Sequence, residues 1–583
     1  MSKHWVHLSV VIIFSLLGIK ALFHPGLFTA HDIWHQVVRF HYFYQSINDG
    51  QFPPYWVDQL ANGFGYPLFT FSYNLPWLIG VLFLKIGFDL STSIKFLFGL
   101  SYLLSGVAMY LFTYSLLRDK LSALLSSIVY LWLPYHFLII FVSASMGVAF
   151  VFFFLPIVLL GIHLLSIKSN IGILILGIGL SGIILSHIMH LVFTLPLVLI
   201  FITWELTIVK SKVLFIKNII LGIMITTLVT SFYLIPAFSY NQLTRVNEET
   251  GITKLYERNF INFNQLIYSK WGFSPIVNNA KNGEISFQLG ITQWISVISL
   301  LLLIIFKKLN ELLRSKTAGY PAESSSVNHS SPKPADGIFW FKDKNDQSLS
   351  IYLLISFIIC IILMLDYSLN LWKFFIKFVS LDFPFRLLLP ATFIASLSSG
   401  IVLKSISNNL KILILIFLIL LTVYTNRNHI NVNQYTNFPL KSYLELETEK
   451  TTNTFNEYLP VKANPKLLNK PWNEIVGENL SVNDVSEKTN TLSFFVTTSK
   501  NQIAHLGQFY FPGQTLYIDN KISPFDIDRD GLISFMLPQG THSIMVKYEE
   551  TPVIKVSKFL TFLGILTVLH QLAKNLNKKF TFN

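Results

Sequence analysis

Apolar residues run almost without interruption through 5–23, 94–117, 171–186, 214–238, 290–306, 349–365, 386–405 and 409–424. Each run approaches or exceeds the roughly 20 residues that a helix needs to cross the hydrocarbon of a bilayer. The pattern predicts a polytopic α-helical membrane protein of about 12 to 14 membrane helices, filling 1–424. Past 425 the period changes. Apolar positions alternate over short stretches such as TLSFFVTT, QIAHLGQFYF, TLYID and THSIMVKY, with turn signals at Asp530-Gly531 and Gln539-Gly540. That alternation predicts strands, arranged as a small β-sandwich over 425–555. An apolar run near 556–573 predicts a final membrane helix, followed by a tail through 583. Between 315 and 333 the chain is rich in Ser, Pro and small residues and has little to bury, so it reads as a disordered linker within 307–348.

Composition fits this class, since 52% of the 583 residues are hydrophobic and 13% are charged, too apolar for a soluble multidomain protein. The formal charge of +13 raises nucleic acid as a partner. Lys and Arg fall mostly in short loops between apolar runs, however, which is the distribution that orients membrane proteins, so the excess reads as topology and implies no nucleic acid. No small-residue cleavage site follows 5–23, so that run reads as a retained helix entering from the cytoplasm behind Lys3. Lys210, Lys212, Lys217, the 307–344 stretch, Lys574, Lys578 and Lys579 belong inside by the same rule. Both termini are then cytoplasmic, and 24–73, 239–288 and 425–555 face outward from the cell membrane. Arg118 and Lys120 also prefer the inside, so 74–90 reads as re-entrant. With Cys360 as the lone cysteine, the outer part must cohere by packing, without an internal disulfide.

Candidate chemistry gathers after the first apolar run, in His31-Asp32-Ile33-Trp34-His35. Arg39 lies seven residues past Asp32, two helical turns along and roughly on the same face, with His35 between them. The plain alternatives are that His31 caps the loop, Asp32 caps the following helix and Arg39 meets lipid headgroups. His31, His35 and His41 raise a metal question, but no third ligand stands at a fixed spacing. No structural zinc is predicted, no cofactor is implied, and a divalent cation at a phosphate site stays open. Pro53, Pro54, Tyr55, Trp56, Gly63, Gly65 and Pro67 cannot form regular helix, and their rings suit either the membrane interface or stacking on a sugar. Ser186-His187 ends an apolar run, where an imidazole turned toward lipid would be costly, so His187 is expected to face the interior or a wet cavity. Arg386 opens another run from the outside and can bind phosphate or reach headgroups.

Several stretches together resemble one family of multispan membrane proteins. They are HDIWHQVVRFHYFYQSINDGQFPPYW, NGFGYPLFTFSYNLPW, LSH at 185–187, QLIYSKWG at 265–272, SFQLG at 286–290, FPFR at 383–386, NEYLP at 456–460 and FYFPGQTLYIDN at 509–520. The family is the one often labelled 6-pyruvoyl-tetrahydropterin synthase-related, with the YfhO-like proteins beside it, and by resemblance it belongs to the GT-C glycosyltransferase superfamily. The pterin label carries no chemical weight, because nothing in the chain is like a small soluble synthase. The resemblance implies a GT-C-like fold and transfer of a sugar from a polyprenyl-phosphate donor to an extracytoplasmic glycan or lipid acceptor, with membrane lipids around it. Asp32 matches the acidic residue of the first outer loop, which acts on or orients the acceptor hydroxyl. His31, His35, Arg39, His187 and Arg386 are then candidates for donor phosphate or acceptor binding, and Trp271, Gln288, Glu457 and Tyr458 for an acceptor cleft. One departure stands out. Relatives carry an Arg and then a Glu after the Leu-Pro-Tyr of 133–135, where this chain has Ser143 and Val148 near those places. The competing class is a non-enzymatic transporter or a scaffold for surface polysaccharide assembly, although no inverted repeat is apparent in the sequence.

Overall fold

Eight helices among the described residues are long and apolar enough to cross a membrane: Leu90–Leu117, Met146–Ser166, Ile171–Ile208, Lys212–Val229, Lys344–Met364, Pro384–Ser405, Asn408–Asn426 and Pro552–Lys574. A ninth is added if the bent pair Lys120–Leu131 and Pro134–Val142, which meet at 46°, counts as one span. The expected 12 to 14 exceeds this number. The computed structural model describes residues 2–580 apart from 249–254, 277–278, 318–340, 342, 380, 448–450 and 454. Most of the linker expected between 315 and 333 therefore lies outside the described residues, and the helix Ile291–Thr317 runs into its first residues. Burial sorts the helices by position. Pro384–Ser405 and Met146–Ser166 are almost wholly enclosed, whereas Asn408–Asn426 exposes Ile412, Leu413, Ile416, Phe417 and Leu420, and the last helix exposes Phe559, Phe562, Ile565 and Leu569. An apolar surface of that extent is stable against lipid and not against water.

The longest helix, Ile171–Ile208, is a hairpin. Thirty-eight straight residues would span about 57 Å, yet its two ends meet the same short segment of the preceding helix. A Cβ on Gly172 would lie 2.8 Å from the Leu165 nitrogen, and the Glu205 carboxylate is 2.8 Å from His163 Nδ1. The reversal sits at His187, whose φ of −164° and ψ of 91° leave the helical region. A break frees backbone groups that must find other partners, and here the Asn74 N–H donates to the Leu185 carbonyl at 3.2 Å. Ser186 and His187 thus form an apex, as the sequence anticipated in ending a span there.

Leu75–Lys85 has 11 residues, about 16 Å, which is too short to cross. It starts beside that apex, and the next helix, Leu90–Leu117, starts beside the exit of the first, where Lys95 donates to the His24 carbonyl at 2.7 Å. The first helix, Ser2–Gly18, runs antiparallel to Leu90–Leu117, with His4 against Tyr110 and Gly18 against Tyr102. After it, Leu27–Phe28 pairs antiparallel with Tyr435–Thr436, and the helix Ile33–Asn48 begins.

From Ile475 onward the strands form two larger sheets. One antiparallel sheet has the order Ile475–Val476, Gln502–Phe509, Leu532–Leu537, Asp526–Ile527. The other runs Ser481–Lys488, Thr491–Thr498, Gly540–Tyr548, Gln514–Ile518, Lys521–Ser523. Alternate residues of both, among them Leu492, Phe494, Val496, Leu506, Ile533, Phe535, Ile544 and Val546, meet in one apolar cluster, as a period of two requires. The loop after the helix Ile33–Asn48 docks onto these sheets through Trp56, which stacks between Phe511 and Tyr548 at ring distances of 6.0 and 5.7 Å.

Candidate functional site

Asp32 stands immediately before the helix Ile33–Asn48, but its side chain makes no cap bond. Its position is fixed through the backbone instead, because the Asp32 N–H donates to the Ser143 carbonyl at 3.0 Å and the His31 N–H to the Val142 carbonyl at 2.9 Å. Those carbonyls come at the end of a π-helical turn, Leu138–Val142, where the last carbonyls of a helix have no partner within it and can accept from outside. Gln36 adds a third tie, donating to the Ala144 carbonyl at 2.9 Å and accepting from the Tyr73 hydroxyl at 2.9 Å. The half-buried Asp32 carboxylate is left facing a cavity of about 380 Å³.

Residues far apart in the chain line that cavity. Beside Asp32 are His35 and Arg39 from the same helix, Tyr73, His187 at the hairpin apex, Asp382 and Arg386, and Glu457 with Tyr458. Arg386 donates to His187 Nε2 at 3.3 Å and forms an ion pair with Asp382 at 2.8 Å. A guanidinium has only donors, so His187 must offer the lone pair of Nε2 and carry any single ring proton on Nδ1. That Nδ1 is buried without a partner, as are both ring nitrogens of His190, whose ring lies 4.5 Å away. Arg39 reaches across to the chain before the sheets, donating to the Thr452 carbonyl, to its hydroxyl at 3.1 Å and to Asn453 Oδ1 at 2.9 Å. Asn453 in turn donates to Glu457 at 2.6 Å. Tyr458 packs on Phe71 at 4.9 Å, and burial raises its phenol well above the ordinary value. Tyr73 is raised to about 12, first by burial. Both therefore stay protonated at neutral pH, and the Tyr73 proton is the one given to Gln36.

Of the candidates read from the sequence, Asp32, His35, Arg39, His187, Arg386, Glu457 and Tyr458 share the cavity. His31 does not line it, and its Nε2 is 3.0 Å from the Phe273 carbonyl. Trp271 and Gln288 gather elsewhere, around His429: Trp271 stacks on that ring at 4.3 Å and Gln288 Nε2 approaches His429 Nε2 at 3.2 Å. Burial lowers His429 to about 4, so it is neutral there. Ser143 lies against the Asp32 backbone, but its hydroxyl turns back to the Leu138 and Ile139 carbonyls at 3.3 and 3.1 Å, and Val148 is buried. Sequence reasoning missed Asp382, although it stands one residue before the FPFR stretch and four before Arg386, and it missed Tyr73, His190 and Asn453. Among the described residues no group of three or more His, Cys, Asp or Glu side chains is arranged to hold a metal ion.

The arrangement can take a proton at Asp32 while two arginines stabilise negative charge in the same partly enclosed space. Asp382 already offsets part of the charge of Arg386, so an incoming anion would share that guanidinium with it.

No family model matches the chain, and none of the curated proteins matches it. Among solved structures, the chain is similar to the archaeal oligosaccharyltransferase AglB of Archaeoglobus fulgidus in complex with an inhibitory peptide and a dolichol-phosphate. That likeness has 13% identity and a TM-score of 0.40, and covers 79% of this chain and 61% of the other. The apo form of the A. fulgidus oligosaccharyltransferase gives 12% identity and 0.40 over 79% and 62%. Its complex with Zn and sulfate gives 12% and 0.38 over 79% and 58%. The chain thus spans about three fifths of the length of these proteins, and so slight a likeness carries no function across.

Proposed function

We propose that this protein is a GT-C-type membrane glycosyltransferase, which moves a sugar from a polyprenyl-phosphate donor to an acceptor outside the cell membrane. The observation that carries this reading is the convergence of Asp32, His187 and Arg386, from a loop, a hairpin apex and a helix start, on one cavity. Asp32, free of capping, would accept the proton of the acceptor hydroxyl as that oxygen attacks the anomeric carbon. Arg386, held toward His187, and Arg39 would stabilise the departing phosphate. An almost wholly apolar groove of about 280 Å³ would offer room for part of a prenyl chain. Its lining residues Leu75 and Leu185 are each two positions from a cavity residue, Tyr73 and His187.

In this reading both termini are cytoplasmic, the paired sheets form a β-sandwich outside the membrane, and 1–424, 425–555 and 556–583 are the three parts of the chain. Counting both legs of the hairpin, the bent pair, and the helices Ser2–Gly18 and Ile291–Thr317 would bring the eight to twelve, the lower end of the expected 12 to 14. The test is transfer from radiolabelled polyprenyl-phosphate sugars by the purified protein in bilayers, wild type against Asp32→Asn. Equal transfer by both would refute the role of Asp32.

The two broken helices beside the cavity favour a second reading, since discontinuous spans also build the sites of transporters. Uptake of intact lipid-linked sugar across proteoliposome membranes, with no new glycosidic bond formed, would select that reading.

A further inference from the structure

A second polar cavity, of about 280 Å³, lies in the seam between the loop after the helix Ile33–Asn48 and the sheets. The seam is tightly built. The Asp58 N–H donates to the Thr489 carbonyl at 2.9 Å, Thr489 donates through its own N–H and its hydroxyl to Asp49 at 2.8 Å each, and the Phe509 N–H donates to the Phe64 carbonyl at 2.8 Å. Gly63, with φ of +84°, lies flat on the Trp472 indole, and any Cβ there would come within 2.8 Å of the ring. The Trp472 N–H is used by the Gly507 carbonyl. Trp472 therefore presents an apolar edge to the cavity and no donor.

Within this seam, Gln59 Oε1 is buried without a hydrogen-bond partner, and the Asp58 carboxyl meets the Gln508 side chain. Asp58 is only 6% exposed, and its Oδ1 accepts from the Trp56 indole N–H. Both residues line the cavity, together with Gln508, Glu487, Tyr42 and Trp472. A buried polar oxygen is rarely left without a hydrogen-bond partner, so the Gln59 oxygen at this hollow implies that something else supplies one. Among the described residues lining the cavity none is cationic, so an anion would find no counter-charge. The wall combines carboxyl and amide groups with two aromatic side chains and Leu492. That mixture suits a ring carrying hydroxyls on its rim and C–H groups on its face.

We infer that this seam is a binding subsite for a neutral saccharide, whose hydroxyls bond Gln59 Oε1 and share the Asp58 carboxyl with Gln508 while its apolar face meets Tyr42 and Trp472. It stands apart from the transfer reaction, because none of its lining residues lines the cavity of Asp32 and Arg386. Burial raises the Asp58 carboxyl to about 8, so at neutral pH it offers a proton to a sugar oxygen as well as accepting.

The experiment is saturation-transfer NMR on the full-length protein in nanodiscs, with maltose, cellobiose, lactose, chitobiose and mannobiose as probes and no lipid donor. At least one disaccharide is expected to bind. Asp58→Leu and Gln59→Leu should each weaken it tenfold or more. Asp58→Asn should keep it, because its carbonyl can serve Trp56 while its amide donates into the cavity, and Asp32→Asn should leave it unchanged. Gln59→Leu serves as the readout if Asp58→Leu fails to fold. The inference is overturned if no disaccharide binds, if binding survives Gln59→Leu, or if calcium, followed by terbium luminescence, occupies the site in place of sugar.

Discussion

Arg386 donates to Nε2 of His187 across a contact of 3.3 Å, although 199 positions separate the two residues in the chain. One comes from the start of an enclosed helix and the other from the turn of a hairpin. The contact ties the apex to the bundle and fixes which imidazole nitrogen carries a proton.

Replacing Arg386 by Met should therefore raise the Kd for a polyprenyl-phosphate sugar at least tenfold, about 1.4 kcal/mol. Arg386→Lys should restore little of it, because an ammonium cannot serve Asp382, His187 and a phosphate with the geometry of a guanidinium fork. Donor binding by the two variants, measured by isothermal titration in nanodiscs, checks this.

Asp32→Asn should lower the rate of transfer by about 10²–10⁴-fold, the usual contribution of a positioned base. The melting temperature should hardly move, since the carboxylate makes no cap bond and the backbone carries the loop contacts. A large loss of stability would mark Asp32 as structural.

Gly147→Ala tests the hairpin. A Cβ at this position would fall 2.2 Å from the Ser186 carbonyl oxygen, closer than any real contact, so the apex would have to move. Overpacking of this kind costs typically 1–3 kcal/mol. A lowered melting temperature together with lost donor binding is the expected result, and unchanged values would contradict the close approach at His187.

Asp58 predicts a pH dependence. Its folded value near 8 stands far above the ordinary 3.8, chiefly through burial, with Glu487 and Asp49 adding to it and Trp56 and Gln508 opposing. The native state thus holds a proton that the unfolded chain gives up. This contribution to stability is complete below about pH 4 and is lost progressively as pH rises through about 8. Asp58→Asn, which cannot ionise, should flatten that slope. Thermal melts of both proteins from pH 5 to pH 9 measure the difference.

Much of this was legible in the sequence. The lengths of the apolar runs announced membrane helices, and the alternation in TLSFFVTT and THSIMVKY announced strands, now seen paired at Phe494 with Ile544 and Val496 with His542. His187 and Arg386 were singled out because an ionisable group beside an apolar run needs a reason to be there, Asp32 by the family resemblance, and His35 and Arg39 by their helical spacing from it. Asp382 escaped notice because a carboxylate before a helix is common, and only its contact with Arg386 gives it meaning. Trp271 and Gln288 drew attention by family resemblance, which says nothing about the direction in which a side chain points.

The chain by itself determined which segments prefer lipid and which form sheets, because transfer of apolar area and backbone periodicity are local properties. Tertiary structure alone decided that 171–208 doubles back, that the residues around 452 reach Arg39, and that Asp58 and Gln59 share a hollow with strands more than 400 positions away. Those outcomes depend on which distant groups satisfy each buried hydrogen bond and charge. That pairing is settled only when the helices and sheets pack.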